Sequence, residues 1–314
     1  MSAKILDGHA VAQQIRAETE REVAAFREKW GAQPTLALVR AGGDPTSVTQ
    51  ACTIRRVCEE RGIAFQAHVC PAEVSEDSMV ELIQELSADE GVHGIVVQQP
   101  MPKGINDAIV IEALDPAKDV DGAHSLNAGR LAQAASIDRP RDIGPYFVPA
   151  VPLGGLELLK RYGIEIDGRQ VVIVAASDSI GKPLAMLLIH HWATVTICNL
   201  HTRPLREVTR QADILCSATG VAHLIIANMV KPGATVIDFG FARLTGKWVG
   251  DVDFDAVKEV AGAITPMPGG TDVVANEMLV RNVVTAALRQ CRLGIRQASR
   301  VAPVRSRAIA GAPA

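Results

Sequence analysis

The chain is predicted to be an α/β protein of two domains, the second of them a doubly wound parallel sheet. Short β-branched runs alternate with amphipathic stretches along most of its length. In the second half five such runs follow one another, and the first opens through a turn of small residues into a helix start. With 314 residues, 48% of them hydrophobic, there is material for more than one packed core.

From Ala10 to Trp30 small and apolar residues recur at helical spacing among Glu, Arg and Gln, which predicts a first amphipathic helix. Pro34 to Val39 reads as a buried strand. Gly42-Gly43-Asp44-Pro45 breaks the chain, and Thr46 or Ser47 is expected to cap a helix running to about Arg61. A strand near Ile63–Cys70, a helix over Glu76–Ala88 and a short strand Gly94–Val97 follow, the last stopped by Gln98-Gln99-Pro100-Met101-Pro102. The Pro/Gly-punctuated stretch from Ala132 to Pro152 is the expected domain boundary. Beyond a helix over Gly154–Tyr162 come the five strand candidates: Val171–Val174, Thr194–Ile197, Ile214–Ser217, Thr235–Asp238 and Gly262–Thr265. A last helix is expected from about Ala275 to Arg292, then a disordered tail carrying Arg300, Arg305 and Arg307.

Composition excludes several function classes. The formal net charge is −3 and no segment carries a basic stripe, so no nucleic-acid partner is expected. Aromatics at 4% leave little for stacking on single strands. Cys52, Cys58, Cys70, Cys198, Cys216 and Cys291 have no zinc-finger or redox spacing and read as reduced, mostly buried thiols. No metal site is expected. No apolar run is long enough for a membrane helix, and the first residues lack a signal-peptide pattern, so the expected location is the cytoplasm.

The run VVIVAASDSIGKP is the candidate nucleotide turn. Small residues there let a phosphate approach backbone amides at a helix N-terminus, where the dipole favours negative charge. Ala175, Ala176, Ser177, Ser179, Ile180 and Gly181 form this Rossmann-like turn, although only Gly181 of the usual three glycines is present. After the next strand, Cys198-Asn199-Leu200-His201-Thr202-Arg203 offers no acid for a ribose diol but two possible cations, His201 and Arg203. That favours a 2′-phosphate, hence NADP over NAD, with NAD left open.

Further motifs make the chain resemble one known family from about Lys4 to Leu293. They are AKILDGHAVAQQIR, GIVVQQPMPKGI, KDVDGAHSLNAGRL, IGKP, ADILCSATG, GATVIDFG, VGDVDF and ITPMPGG, in this order. The chain is similar to the bifunctional methylenetetrahydrofolate dehydrogenase/cyclohydrolases. The resemblance implies a usually dimeric enzyme with a folate cleft between its domains. Such an enzyme oxidises methylenetetrahydrofolate with NADP or NAD, and many members then hydrolyse the methenyl product. It also implies a folate-type catalytic domain over 1–147 plus 275–296, a nucleotide domain over 148–274 and a tail over 297–314. Gln98 and Asp121 match active-site residues, Asp121 as the bidentate partner of the pterin. Ser47 and Pro100 fall with them on the substrate side. Pro266, Pro268, Gly269 and Gly270 match the loop at the nicotinamide end. Ser177, Gly181, Thr219 and Gly220 match the cofactor turns.

The departures decide the expected mechanism. The family's helix presents a tyrosine and, four residues later, a lysine, on one face. Here Gln50 and Ile54 occupy those positions, and no lysine lies between Lys29 and Lys103. Hydride transfer needs proximity and alignment, whereas hydrolysis of the methenyl cation needs an activated water and proton handling. The cyclohydrolase step is therefore expected to be lost or weakened by ~10²-fold or more, and the dehydrogenase step retained. Ala176 replaces an arginine of many NADP-using relatives, Ala150-Val151 replaces Cys-Thr, and Asp272 adds a charge expected near the cleft. These changes leave two alternatives: a non-catalytic paralogue that binds folate or nucleotide, and a dehydrogenase on a non-folate substrate. His124 is read as a structural cap, the adjacent pair His190-His191 as cations suited to the dipole at a helix end, and Lys118 and Lys103 as surface charges.

Overall fold

The computed structural model describes residues 2–134 and 146–292. The expected boundary lies partly outside this range, and the expected tail wholly so. Two compact units emerge: Met1–Glu18 with Asp121–Leu279, and Thr19–Val120 with the residues from Val280 on. These limits differ from the expected ones at the start of the chain and after Val120. The physical reason for the first is a short strand, β1 (Lys4–Ile5), which pairs in parallel with β11 (Ala263–Ile264) and so joins the nucleotide-type sheet.

That sheet has six strands in the order β1-β11-β8-β7-β5-β6, with every pairing parallel. Its other members are β5 (Gln170–Val174), β6 (Thr194–Cys198), β7 (Ile214–Ser217) and β8 (Thr235–Asp238). All five predicted strands are present. The central strands β5, β7 and β8 are continuous apolar runs because both faces are covered, and Val172, Leu215, Val236 and Ile264 are buried in one core cluster, whereas β6 is largely exposed. From β5 the chain first adds β6 on one side and then returns to place β7 on the other. The carboxyl ends of β5 and β7 therefore flank the switch point where open α/β sheets bind ligands. Between β5 and β6 runs α7 (Gly181–Ile189), and α6 (Ala150–Arg161) precedes β5. Five short elements here were not anticipated: the hairpin strands β9 (Ala242–Leu244) and β10 (Lys247–Val249), and the helices α5 (Ser125–Gln133), α8 (Leu205–Thr209) and α9 (Phe254–Val257).

The second unit holds a three-stranded parallel sheet, β3-β2-β4, from β2 (Thr35–Ala41), β3 (Ala64–Cys70) and β4 (Gly94–Val97). Met79, Ile83 and Leu86 of α3 (Glu76–Ala88) bury against it, with Val110 and Ile111 of α4 (Asp107–Glu112). The first helix, α1, spans Gly8–Trp30 and the last, α10, spans Thr271–Arg292, each beginning earlier than expected. Within this unit α10 is tied down by polar contacts. Asn282 Nδ2 donates to Val120 O (2.8 Å) and Gln290 Nε2 to His93 O (2.7 Å).

Helix α2 (Pro45–Glu60) carries the positions that matter most. Its N-cap is Asp44, whose carboxylate accepts from Ser47 N at 2.8 Å. The expected caps, Thr46 and Ser47, lie inside the helix, because Pro45 suits the first helical position and leaves the preceding residue as cap. Lys118, expected on the surface, is 6% exposed, and its Nζ donates to the carbonyls of Leu86 (3.2 Å) and Asp89 (2.7 Å). A cation there satisfies carbonyls left over at the end of α3.

Candidate active site

On α2, Ser47 and Ile54 are buried while Gln50 is exposed. Ile54 is 3% exposed and lies one turn beyond Gln50. Gln98 follows β4 and is 6% exposed. Its Nε2 donates to Ser47 O (3.2 Å) and contacts Gln50 Oε1 (3.4 Å). These two acceptors fix which way the amide points, since the flipped form would set oxygen against oxygen. The Gln98 Oε1 that results is buried and has no hydrogen-bond partner. A buried carbonyl without a donor is costly, and such atoms call for a structural or functional reason. Pro100 follows on the same segment. Arg55, next to Ile54, lays its guanidinium over the Phe65 ring, 5.5 Å from the centroid, and so is engaged elsewhere.

The cofactor-type residues gather at the carboxyl ends of β5 and β7. Ala175 is buried at the end of β5, and Ala176, Ser177 and Ser179 are exposed on the turn. Ser177 Oγ accepts from Ile180 N (3.2 Å) and Gly181 N (3.3 Å), closing the turn into α7. Gly181 is indispensable there: a Cβ would lie 2.3 Å from Ala175 O. This is the close helix-to-strand approach that the third glycine of a dinucleotide turn provides. After β7, Thr219 and Gly220 are exposed, and Gly220 has φ +70 with open space where a Cβ would be. The turn after β6 is braced internally: Asn199 N donates to Thr202 Oγ1 (2.9 Å) and His201 N to Asn199 Oδ1 (2.8 Å). Arg203 Nη1 donates to the carbonyls of Leu200 and Thr202, both at 2.9 Å. Both expected cations are exposed on this turn, as is Leu200 (87%). A glycine-enabled turn and an open Gly220 loop at the switch point fit a dinucleotide.

Asp121 is half-buried and leads into Gly122, whose φ of +63 the turn requires. His124 caps α5, its Nδ1 accepting from Leu126 N at 3.0 Å, as the sequence suggested. The Thr265–Thr271 loop brings Pro266, Pro268, Gly269 and Gly270 against the start of the chain, with Gly8 N donating to Gly269 O (2.9 Å). Sequence reading missed this buttress; the motif Asp7-Gly8 was its only signal. Asp272 is half-buried, and its Oδ1 accepts from the amides of Gly269 and Gly270, both at 2.9 Å. The carboxylate expected as a new charge in the cleft thus holds the glycine loop in shape.

His190 and His191 end α7, where cations would suit the helix dipole. Burial instead pushes His190 down, and burial with Lys160 and His190 nearby pushes His191 down to about 4. Both are neutral near pH 7, which corrects the expected dipole role. Sequence reading also missed two buried carboxylates behind Thr219, Asp238 and Asp251. Burial raises Asp238 to about 7, against its backbone donors.

Comparison with known proteins agrees with this geometry. The tetrahydrofolate dehydrogenase/cyclohydrolase catalytic domain matches residues 6–121, and the NAD(P)-binding domain of the same family matches residues 149–291. The chain is 47% identical over 296 residues to the bifunctional protein FolD of Chloroflexus aurantiacus, covering 94% of this chain and 100% of that one. It is 43% identical over 288 residues to the Aquifex aeolicus protein of the same name, covering 92% and 96%. Among solved structures, the Campylobacter jejuni FolD superposes with a TM-score of 0.87 at 36% identity, covering 92% of this chain and 100% of that one. A Trypanosoma brucei methylenetetrahydrofolate dehydrogenase-cyclohydrolase, solved with NADP and an inhibitor, gives 0.86 at 33% identity, covering 93% and 99%. The chain belongs to the tetrahydrofolate dehydrogenase/cyclohydrolase family.

Proposed function

We propose that this enzyme is an NADP-dependent methylenetetrahydrofolate dehydrogenase in which the family's hydrolysis of the methenyl product is lost or greatly weakened. The observation that carries the reading is the buried, donorless Gln98 Oε1 beside a helix face that presents Ile54. An amine on that face would give the oxygen a donor and could handle a proton at the reacting carbon. An isoleucine can do neither. Arg55 is held by Phe65 and the Lys118 ammonium by two carbonyls, so neither substitutes.

The oxidation asks less of these residues. NADP, when bound, supplies the hydride acceptor. The chain's part is to hold the two reactants aligned and to exclude water. Gly181 and the Ser177 turn shape the dinucleotide end, with His201 and Arg203 offered to a 2′-phosphate. The Pro266–Gly270 loop, fixed by Asp272, faces the nicotinamide end, and Asp121, Ser47, Gln50, Gln98 and Pro100 serve the folate. Gln50 cannot stack on an aromatic ring as a tyrosine does, so weaker folate binding accompanies this reading.

The test is turnover of methylenetetrahydrofolate with NADP and with NAD, followed as reduced nicotinamide, beside hydrolysis of methenyltetrahydrofolate. Native protein should oxidise with NADP and hydrolyse slowly, by ~10²-fold or more below a lysine-bearing relative. Ile54→Lys should raise hydrolysis at least about tenfold, while burial of the new amine lowers thermal stability. Rapid hydrolysis by the native chain would refute the loss.

The reading includes a homodimer and a cytoplasmic location. β6 is the last strand of its sheet, with Ile197 38% exposed on it and Trp192 67% exposed just before it. An unpaired strand edge with apolar side chains is a template for a second copy. All six cysteines are free thiols, as suits a reducing compartment.

A further inference from the structure

We infer that Asp251 is a positioning residue for the cofactor: its buried carboxylate sets the Thr219-Gly220 turn, and Asp238 beside it ties that turn to the Thr265–Thr271 loop. The inference rests on the proposed placement of the dinucleotide at the switch point between β5 and β7.

Asp251 is 0% exposed and Asp238 2% exposed. Asp251 Oδ2 gathers three donors: Ser217 Oγ (2.8 Å), Thr219 N (2.5 Å) and Thr219 Oγ1 (2.8 Å). Ser217 is the last residue of β7, so these contacts hold the strand end and the turn that leaves it. Thr219 directs both of its donors inward, which turns the open side of Gly220 outward. Asp238, the last residue of β8, stands in register with Ser217. Its Oδ1 accepts from Gly240 N (2.8 Å) and Asp251 N (3.1 Å), and its Oδ2 from Val252 N (3.0 Å). Its backbone reaches the other loop: Asp238 N donates to Thr265 Oγ1 (2.8 Å), and Thr271 Oγ1 donates to Asp238 O (2.7 Å).

Two glycines make room for this node. A Cβ at Gly240 would lie 2.1 Å from Asp251 Oδ1, and one at Gly250 would lie 1.9 Å from Asp238 Oδ2. Asp251 Oδ1 is itself buried without a partner. Placing carboxylates in a core is unfavourable unless they are bonded, and packing alone would favour apolar side chains here. What the carboxylates add is direction. Bonds from amides and hydroxyls to the Asp251 carboxylate fix the Thr219 turn, those to the Asp238 carboxylate fix Gly240, Asp251 and Val252, and the Asp238 backbone carries the tie on to Thr265 and Thr271.

The experiment measures NADP affinity by calorimetry, and KM and kcat for both substrates, on the full chain and four variants. Asp251→Asn should weaken NADP binding and raise its KM by about tenfold. Ser217→Ala, which removes one fully buried donor to Asp251, should weaken binding by about threefold. Thr219→Val should resemble Asp251→Asn, because it removes one of the donors that the Asp251 carboxylate gathers. The KM for folate and kcat at saturating NADP should change less than about twofold. The double variant Asp251→Asn with Thr219→Val should be no worse than Asp251→Asn alone, because the two act through one interaction. Unchanged NADP affinity in folded Ser217→Ala and Thr219→Val overturns the inference, even where Asp251→Asn fails to fold. A uniform fall of every parameter with stability overturns it as well. Native protein that binds no NADP removes the underlying placement of the cofactor instead, and the inference with it.

Discussion

In the function proposed above, one side chain, Ile54, separates the two half-reactions of the family. An alkyl group fits the buried position on α2 but leaves Gln98 Oε1 without the donor its surroundings imply. The four-residue spacing of Gln50 and Ile54 made this substitution legible, because helical spacing converts a residue count into a face. His191 was read the other way. Two adjacent histidines at a helix end look like dipole-stabilised cations, yet burial and the Lys160 charge hold His191 near 4. The unfolded imidazole titrates near 6.5, so between about pH 6.5 and 4 the unfolded chain binds more protons. The His191 contribution is complete above the unfolded value and is lost as pH falls through the folded one. His191→Phe should therefore flatten the acid limb of stability, by about 1–2 kcal/mol at pH 4 once solvent screening is allowed for. Asp238, raised to about 7, acts in the opposite sense, its contribution falling as pH rises through 7. The check is urea unfolding of variant and native chain from pH 4 to 8, where the difference between them isolates the histidine. A constant difference across that range would contradict the buried, neutral assignment.

At the scale of elements, long periodic segments were readable and short ones were not. α1, α2, α3 and α10 and the strands of both sheets declare themselves by period, whereas α8, α9 and the β9–β10 hairpin are too brief to show one. Helix starts were misplaced for local reasons. Pro45 moved the α2 cap back to Asp44, and α10 starts at Thr271 because Asp272 is committed to the preceding glycines. That second arrangement is testable. Asp272→Ala leaves the amides of Gly269 and Gly270 without their acceptor, which should cost about 1–3 kcal/mol and lower dehydrogenase turnover. Asp272→Asn keeps a carbonyl oxygen in place and should be milder on both counts. Unfolding curves with turnover assays compare them. Equal behaviour of Ala and Asn variants would show that the acceptor does not matter.

For the whole molecule, parallel pairing and the order of the six strands place the candidate cofactor residues at one end of the sheet, on the turns that leave β5, β6 and β7. The same order leaves β6 at the edge. If that edge meets a second copy, Ile197→Asp should shift the protein from dimer to monomer in light scattering at micromolar concentration, with NADP binding retained. A native chain that is monomeric at that concentration would remove the dimer. Sequence alone determined the fold class, the family motifs and the missing amine, because each depends on residues close along the chain or on spacing within one helix. Only the tertiary structure decided that Lys118 is buried, that Asp272 braces a loop, and that Asp238 and Asp251 meet beneath the Thr219 turn. The reason is burial. A charged residue reads as surface in any local window, and only the packing of distant segments shows which charges have left water and what holds them there.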